Sequence, residues 1–216
     1  MVSFYKSYRV FLPGTLMKVL MYLVYPLVTL LWCGMIAIAM GAEKIYGMYA
    51  LLITSSMIMW AELILDNFVY GGIFAKDTNK LEYLKTSHRG MSVLKKSLIV
   101  DKVRRLVTMT LLLTLIYSVC HEQVSVGQLI SLILGTGAVT ELGLLIIRHF
   151  SSFNWTIILA WVANALGALV GFLAVKLAPI FAVLFLLLFV VMVMTSNKVI
   201  MKKAQRGFYD ADVEGR

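Results

Sequence analysis

Six long apolar stretches constrain what this chain can become: residues 17–40, 47–67, 106–120, 127–147, 154–175 and 177–195. A helix needs about 20 apolar residues to cross about 30 Å of hydrocarbon, and all six reach or approach that length. No water reaches the backbone at such depth, so each stretch must satisfy its own peptide groups, as a helix does. The expectation is an all-α, polytopic integral membrane protein with six transmembrane helices, one domain over residues 1–216. Composition agrees, with 61% hydrophobic and 14% charged residues, where soluble domains run near 45–50% and about 25%. Lys6, Arg9 and Lys18 precede a first stretch too long for a signal-peptide core and without a small-residue cleavage site, so it reads as the first span. Cys33 and Cys120 lie in or beside spans and read as small apolar residues, with no disulfide or metal framework.

Charge sets the expected orientation. With these spans, 18 of the 20 Lys and Arg fall on one side, leaving Lys44 and Lys176 on the other. The basic side is cytoplasmic by the positive-inside rule, so both termini lie inside and the outer loops are short. The net charge of +9 is then topological. It suits contact with anionic lipids and does not imply nucleic-acid binding.

One substantial polar segment interrupts the apolar chain, between the second and third spans. Residues 71–105 hold nine Lys or Arg against three Asp or Glu. Gly71 and Gly72 are expected to loosen the exit from the second span. Asp77 or Asn79 can cap a short amphipathic helix over Leu81, Glu82, Tyr83, Leu84, Lys85 and Thr86. Gly90 is expected to break that run. Met91, Leu94 and Leu98 then recur at helical spacing towards Leu106, with Lys95, Lys96, Lys102, Arg104 and Arg105 on other faces. The lead-in is expected to merge with the short third span. Its basic residues read as mainly topological and lipid-facing.

The layout of six spans, both ends inside, and a cytoplasmic amphipathic helix between spans two and three resembles the permease subunit of a type-2 ATP-binding-cassette exporter. The block DNFVYGGIFAKDTNKLEYLKTSHRGMSVLKKSLIVDKVRR is similar to the coupling region of small bacterial members. VSFYKSYRVFLPG stands where many such permeases carry an elbow helix. The resemblance implies a dimer with a second permease subunit, a copy of this chain or a relative. It also implies a separate cytosolic ATPase carrying ATP and magnesium, none bound by this chain, in a bacterial plasma membrane. Carried onto this sequence, the coupling contacts are Leu81, Glu82, Tyr83, Leu84, Lys85 and Thr86. Tyr83 and Leu84 would be the apolar anchors, and Glu82 and Lys85 the orienting rim charges. The cytoplasmic tail covers residues 197–216. The implied cargo is hydrophobic or amphipathic: a peptide, an antibiotic or a lipid-like compound.

Ionisable residues within spans are costly and often functional. Glu62 and Asp66 stand one helical turn apart near the inner end of the second span, where pairing with the basic segment is the simplest role. Glu141 is deeper in the fourth span, with Arg148 two turns on. It can pair with a cation from another span, face a water-filled path, or carry a proton. Asn164 lies beside Ala163, Gly167 and Gly171, a small-residue ladder that lets helices approach closely, within one subunit or at a dimer seam. Gly135 and Gly137 thin the fourth span above Glu141.

Catalytic patterns are absent: no HExxH, no GxxxxGKS and no GxSxG. An intramembrane enzyme acting on lipid headgroups would have only Asp66, Asp77 and the basic loop to work with. A vitamin-type substrate-binding membrane subunit would need a polar outer site, and that half offers little beyond Glu43, Lys44, His121, Glu122 and Gln123.

Overall fold

The computed structural model describes residues 4–12, 14–40, 47–74, 87–122, 124–150 and 178–214, with Ile158, Trp161, Val162, Ala165, Leu166, Leu169 and Leu173 between the last two segments. Among them there is no β-strand. The elements are α1 (Phe4–Val10), α2 (Gly14–Val19), a π-helical turn (Leu20–Val24), α3 (Tyr25–Met40), α4 (Gly47–Phe74), α5 (His88–Cys120), α6 (Val126–Phe150) and α7 (Ala178–Glu214). Four of the described helical stretches are long and apolar enough to cross a membrane: Gly14–Trp32, Tyr49–Tyr70, Val126–Arg148 and Val183–Lys202. The chain is an all-helical membrane protein.

Local chemistry explains where these helices begin and bend. Gly14 opens α2 at φ +76°, a left-handed conformation that other residues rarely adopt. The π-helical turn immediately precedes Tyr25 and Pro26. Pro26 has no N–H to donate and its ring crowds the carbonyl four residues back, so a wide turn is the natural accommodation. Ser87 caps α5 from an extended backbone, its hydroxyl accepting from the Gly90 N–H at 2.9 Å. Ser125 and Gln128 cap the start of α6 reciprocally: Ser125 N–H donates to Gln128 Oε1 at 2.9 Å, and Gln128 N–H to Ser125 Oγ at 3.3 Å.

Two expectations about glycine are corrected. Gly71 and Gly72 do not loosen α4, which runs unbroken to Phe74. Gly90 is no joint but part of the first turn of α5, where its N–H meets the cap. Residues 88–105 and 106–120 do form one continuous helix: His88–Cys120 has 33 residues and is about 50 Å long at 1.5 Å per residue.

Packing divides the bundle into layers. One apolar cluster gathers Tyr8, Phe11, Leu12, Met21, Val69, Tyr70, Leu94, Leu98 and Ile200, tucking the N-terminal segment under α4, α5 and α7. Another joins Ala50, Leu51 and Ile58 of α4 to Met109, Leu112, Leu113 and Ile116 of α5 and Leu129 and Leu132 of α6. Between these two heights on α4 and α5 lie the charged side chains described next. In contrast, α2–α3 and α7 leave most of their apolar surface uncovered, including Leu23, Leu31 and Ile38, and Val183, Leu187 and Met194. Those faces suit lipid.

Candidate functional site: a buried, charge-balanced layer

Eight ionised side chains from three helices meet in one layer. Glu62 and Asp66 come from α4, Asp101, Lys102, Arg104 and Arg105 from α5, and Glu141 and Arg148 from α6. Four carry negative charge and four positive, so the layer is neutral. Asp101 is 1% exposed, Glu62 2% and Arg148 3%. A lone charge at such a place would be severely penalised, so every member needs a partner.

Helix geometry brings them together. On α4, Glu62 and Asp66 share a face one turn apart. On α5, Asp101, Arg104 and Arg105 are spaced i, i+3 and i+4, so the acid can hold both bases. Arg104 forks onto Glu62, with Nη1 to Oε1 at 3.0 Å and Nη2 to Oε2 at 2.5 Å. Arg105 sits at the centre. Its Nη1 reaches Asp101 and also Asp66 at 3.4 Å, while Nη2 donates to Glu141 Oε1 at 3.1 Å. Arg148 forks onto Asp66, with Nε to Oδ2 at 2.9 Å and Nη2 to Oδ1. Its guanidinium carbon also lies 5.0 Å over the Tyr70 ring, a cation–π contact. Planar two-point contacts of this kind are specific to arginine.

The layer reaches two further elements. Lys102 Nζ lies 3.2 Å from Glu141 Oε2, donates to the Val193 carbonyl of α7 at 3.0 Å and bonds Ser196 Oγ. At the N-terminal segment, the Tyr8 hydroxyl donates to Asp101 Oδ1 at 3.3 Å. Burial, and next the Asp101 carboxylate, hold the Tyr8 phenol well above its ordinary pKa. Beside it, Tyr70 and Ser97 share a 2.7 Å hydrogen bond.

A small cavity of about 20 Å³, room for about one water molecule, lies against this layer. Glu62, Arg105, Thr140 and Glu141 form its polar side, and residues of α4, α5, α6 and α7 line it. Gly137 brings α6 and α7 close: a Cβ there would stand 2.9 Å from Phe189 Cε2 and 3.3 Å from Met109 Cε.

Of the residues singled out from sequence, Glu62, Asp66, Glu141 and Arg148 all enter the layer. Glu62 and Asp66 pair with the basic segment as expected, and Glu141 with cations of another helix. Leu81, Glu82, Tyr83, Leu84, Lys85 and Thr86 lie outside the described residues, as do Ala163, Asn164, Gly167 and Gly171. One expectation is overturned: Lys102 and Arg105 are not lipid-facing but buried against carboxylates, and the partly buried Arg104 is turned onto Glu62 and Asp101. Asp101 went unnoticed as well. The signal was present in DKVRR, an acid followed by bases at i+3 and i+4 at the head of an apolar stretch. Among the described residues, no group of His, Cys, Asp and Glu could hold a metal ion.

Comparison with protein-family models, with curated proteins and with solved structures gives no match.

Proposed function

We propose that this chain is the membrane-spanning permease subunit of an ATP-driven transporter, paired with a second permease subunit and powered by a separate cytosolic ATPase. In this reading residues 106–120 and 154–175 complete six spans, and both termini face the cytoplasm of a bacterial cell. The cargo is a hydrophobic or amphipathic compound moved outward. One observation carries the reading. Helix α5 begins directly after residues 81–86, and its Asp101, Lys102, Arg104 and Arg105 tie it to α4, α6 and α7. A push on the segment before α5 would therefore reach the bundle as a body, which a subunit driven by another protein requires. The test is Tyr83→Asp. It is expected to abolish co-purification with an ATPase while membrane insertion stays normal, and normal co-purification would refute docking at this segment.

A second reading rests on the charged layer: a solute-binding membrane subunit in which those side chains shape a polar site. It is favoured if the chain isolated from its native membrane retains a small molecule and no ATPase.

A further inference from the structure

We infer that the N-terminal segment, residues 4–12, is a releasable strap that closes one side of the charged layer and admits water to Asp101 when it lifts. Its inner face is enclosed: Ser7 and Tyr8 are 0% exposed, Phe11 4% and Leu12 5%. Phe11 packs against the Tyr70 ring of α4, with centroids 5.6 Å apart. Tyr8, Phe11 and Leu12 share one apolar cluster with Leu94 and Leu98 of α5. Where the segment meets the layer it brings a neutral group, the Tyr8 hydroxyl, 3.3 Å from Asp101 Oδ1. Its own charges, Lys6 and Arg9, stay exposed on the outer side.

That neutrality sets the segment apart from α4, α5 and α6. Parting those helices strands a buried charge: Glu62 without Arg104, Asp66 without Arg148, or Glu141 without Arg105. Lifting the strap strands none, because Asp101 keeps Arg104 and Arg105. The strap therefore opens without the charge penalty that holds the three helices together, and local opening occurs where the resistance is least. A hinge stands at its end. Gly14 has φ +76°, and a Cβ there would meet nothing within 4 Å, so the backbone reorients without collision. At the other end Lys96 Nζ lies 5.6 Å from the centroid of the Phe4 ring, which is half exposed, and cation–π contacts are weak where water reaches them. With the strap lifted, the layer is wetted at Asp101 without being broken. The inference goes beyond the transport reading and does not depend on an ATPase.

The experiment uses the full-length chain in lipid nanodiscs, with Cys33 and Cys120 changed to Ala and one reporter cysteine added. Leu12→Cys reports the strap itself, and Leu98→Cys the surface beneath it. Both are expected to react with a membrane-impermeant maleimide while the protein stays folded. Tyr8→Phe removes the hydroxyl and leaves the ion pairs intact. It should speed labelling at both reporters by about 2- to 10-fold, the worth of one hydrogen bond. Gly137→Ala, which loosens the bundle far from the strap at the α6–α7 contact, should leave both rates unchanged. Labelling that Gly137→Ala speeds as much as Tyr8→Phe does overturns the inference, because the segment then opens only with the whole protein. So does labelling at Leu12→Cys with none at Leu98→Cys, since the segment then frays without uncovering anything. Rates indifferent to Tyr8→Phe, or no reaction at either reporter, overturn it as well.

Discussion

Arg104 holds Glu62 through both ends of its guanidinium, at 3.0 and 2.5 Å, joining α5 to α4 where both side chains are almost fully enclosed. Removing one member of a buried pair strands the other, at a cost of about 3–5 kcal/mol, whereas removing both together can be close to neutral. Glu62→Leu or Arg104→Leu is therefore expected to destabilise the protein by several kcal/mol, and the double variant by clearly less than either single change. Thermal unfolding in detergent measures this. Single variants no worse than the double would sink the pairing.

Arg148 tests geometry apart from charge. Lysine keeps the positive charge but cannot fork onto Asp66 or lay a planar cation on Tyr70. Arg148→Lys is expected to lower stability by about 1–3 kcal/mol, in the range of hydrogen bonds to charged groups. A variant as stable as the parent would mean that charge alone suffices.

Gly137 tests the closeness of α6 and α7. A methyl group there must displace the Phe189 ring and the end of Met109. Gly137→Ala is expected to cost about 1–3 kcal/mol, as overpacking does. Adding Phe189→Leu should recover much of that loss, and the same unfolding assay shows whether it does.

Tyr8 predicts a dependence on alkaline pH. Its folded pKa is raised, while the unfolded phenol titrates near about 10. The stability gained by keeping it neutral is thus complete below about pH 10 and declines as pH rises from there toward the folded pKa. Between about pH 10 and 12 the parent should lose more stability than Tyr8→Phe. Parallel losses in the two proteins would contradict the burial of this hydroxyl beside Asp101.

Ser87 predicts a smaller effect. Ser87→Ala removes the cap on Gly90 N–H and is expected to cost about 1 kcal/mol. Because α5 extends directly from residues 81–86, a larger effect on any ATPase association than on stability would link the cap to docking. Unfolding and co-purification measured on the same preparation separate the two.

Periodicity and apolar length made α4 and α6 legible, because a span must be long, helical and apolar whatever it packs against. The continuity of α5 was legible too, since Leu94 and Leu98 keep helical register up to Leu106. The glycines misled because their effect depends on what surrounds them. Gly71 and Gly72 stay helical inside α4, and Gly90 serves the Ser87 cap. Lys102, Arg104 and Arg105 misled for a related reason. A basic residue next to a span reads as a cytoplasmic flank unless its carboxylate partners are known to stand opposite.

The sequence by itself determined that this is a helical membrane protein, where its apolar segments lie, and that Glu62, Asp66, Glu141 and Arg148 need partners. Hydropathy and the cost of buried charge are local properties, readable one residue at a time. Only the tertiary structure decided who the partners are. Asp101 joins Arg104 and Arg105 to one another, Arg105 bridges α4 to α6, and Lys102 carries the layer onto α7. Those choices depend on how four helices are staggered and rotated against one another, and no single segment contains that information.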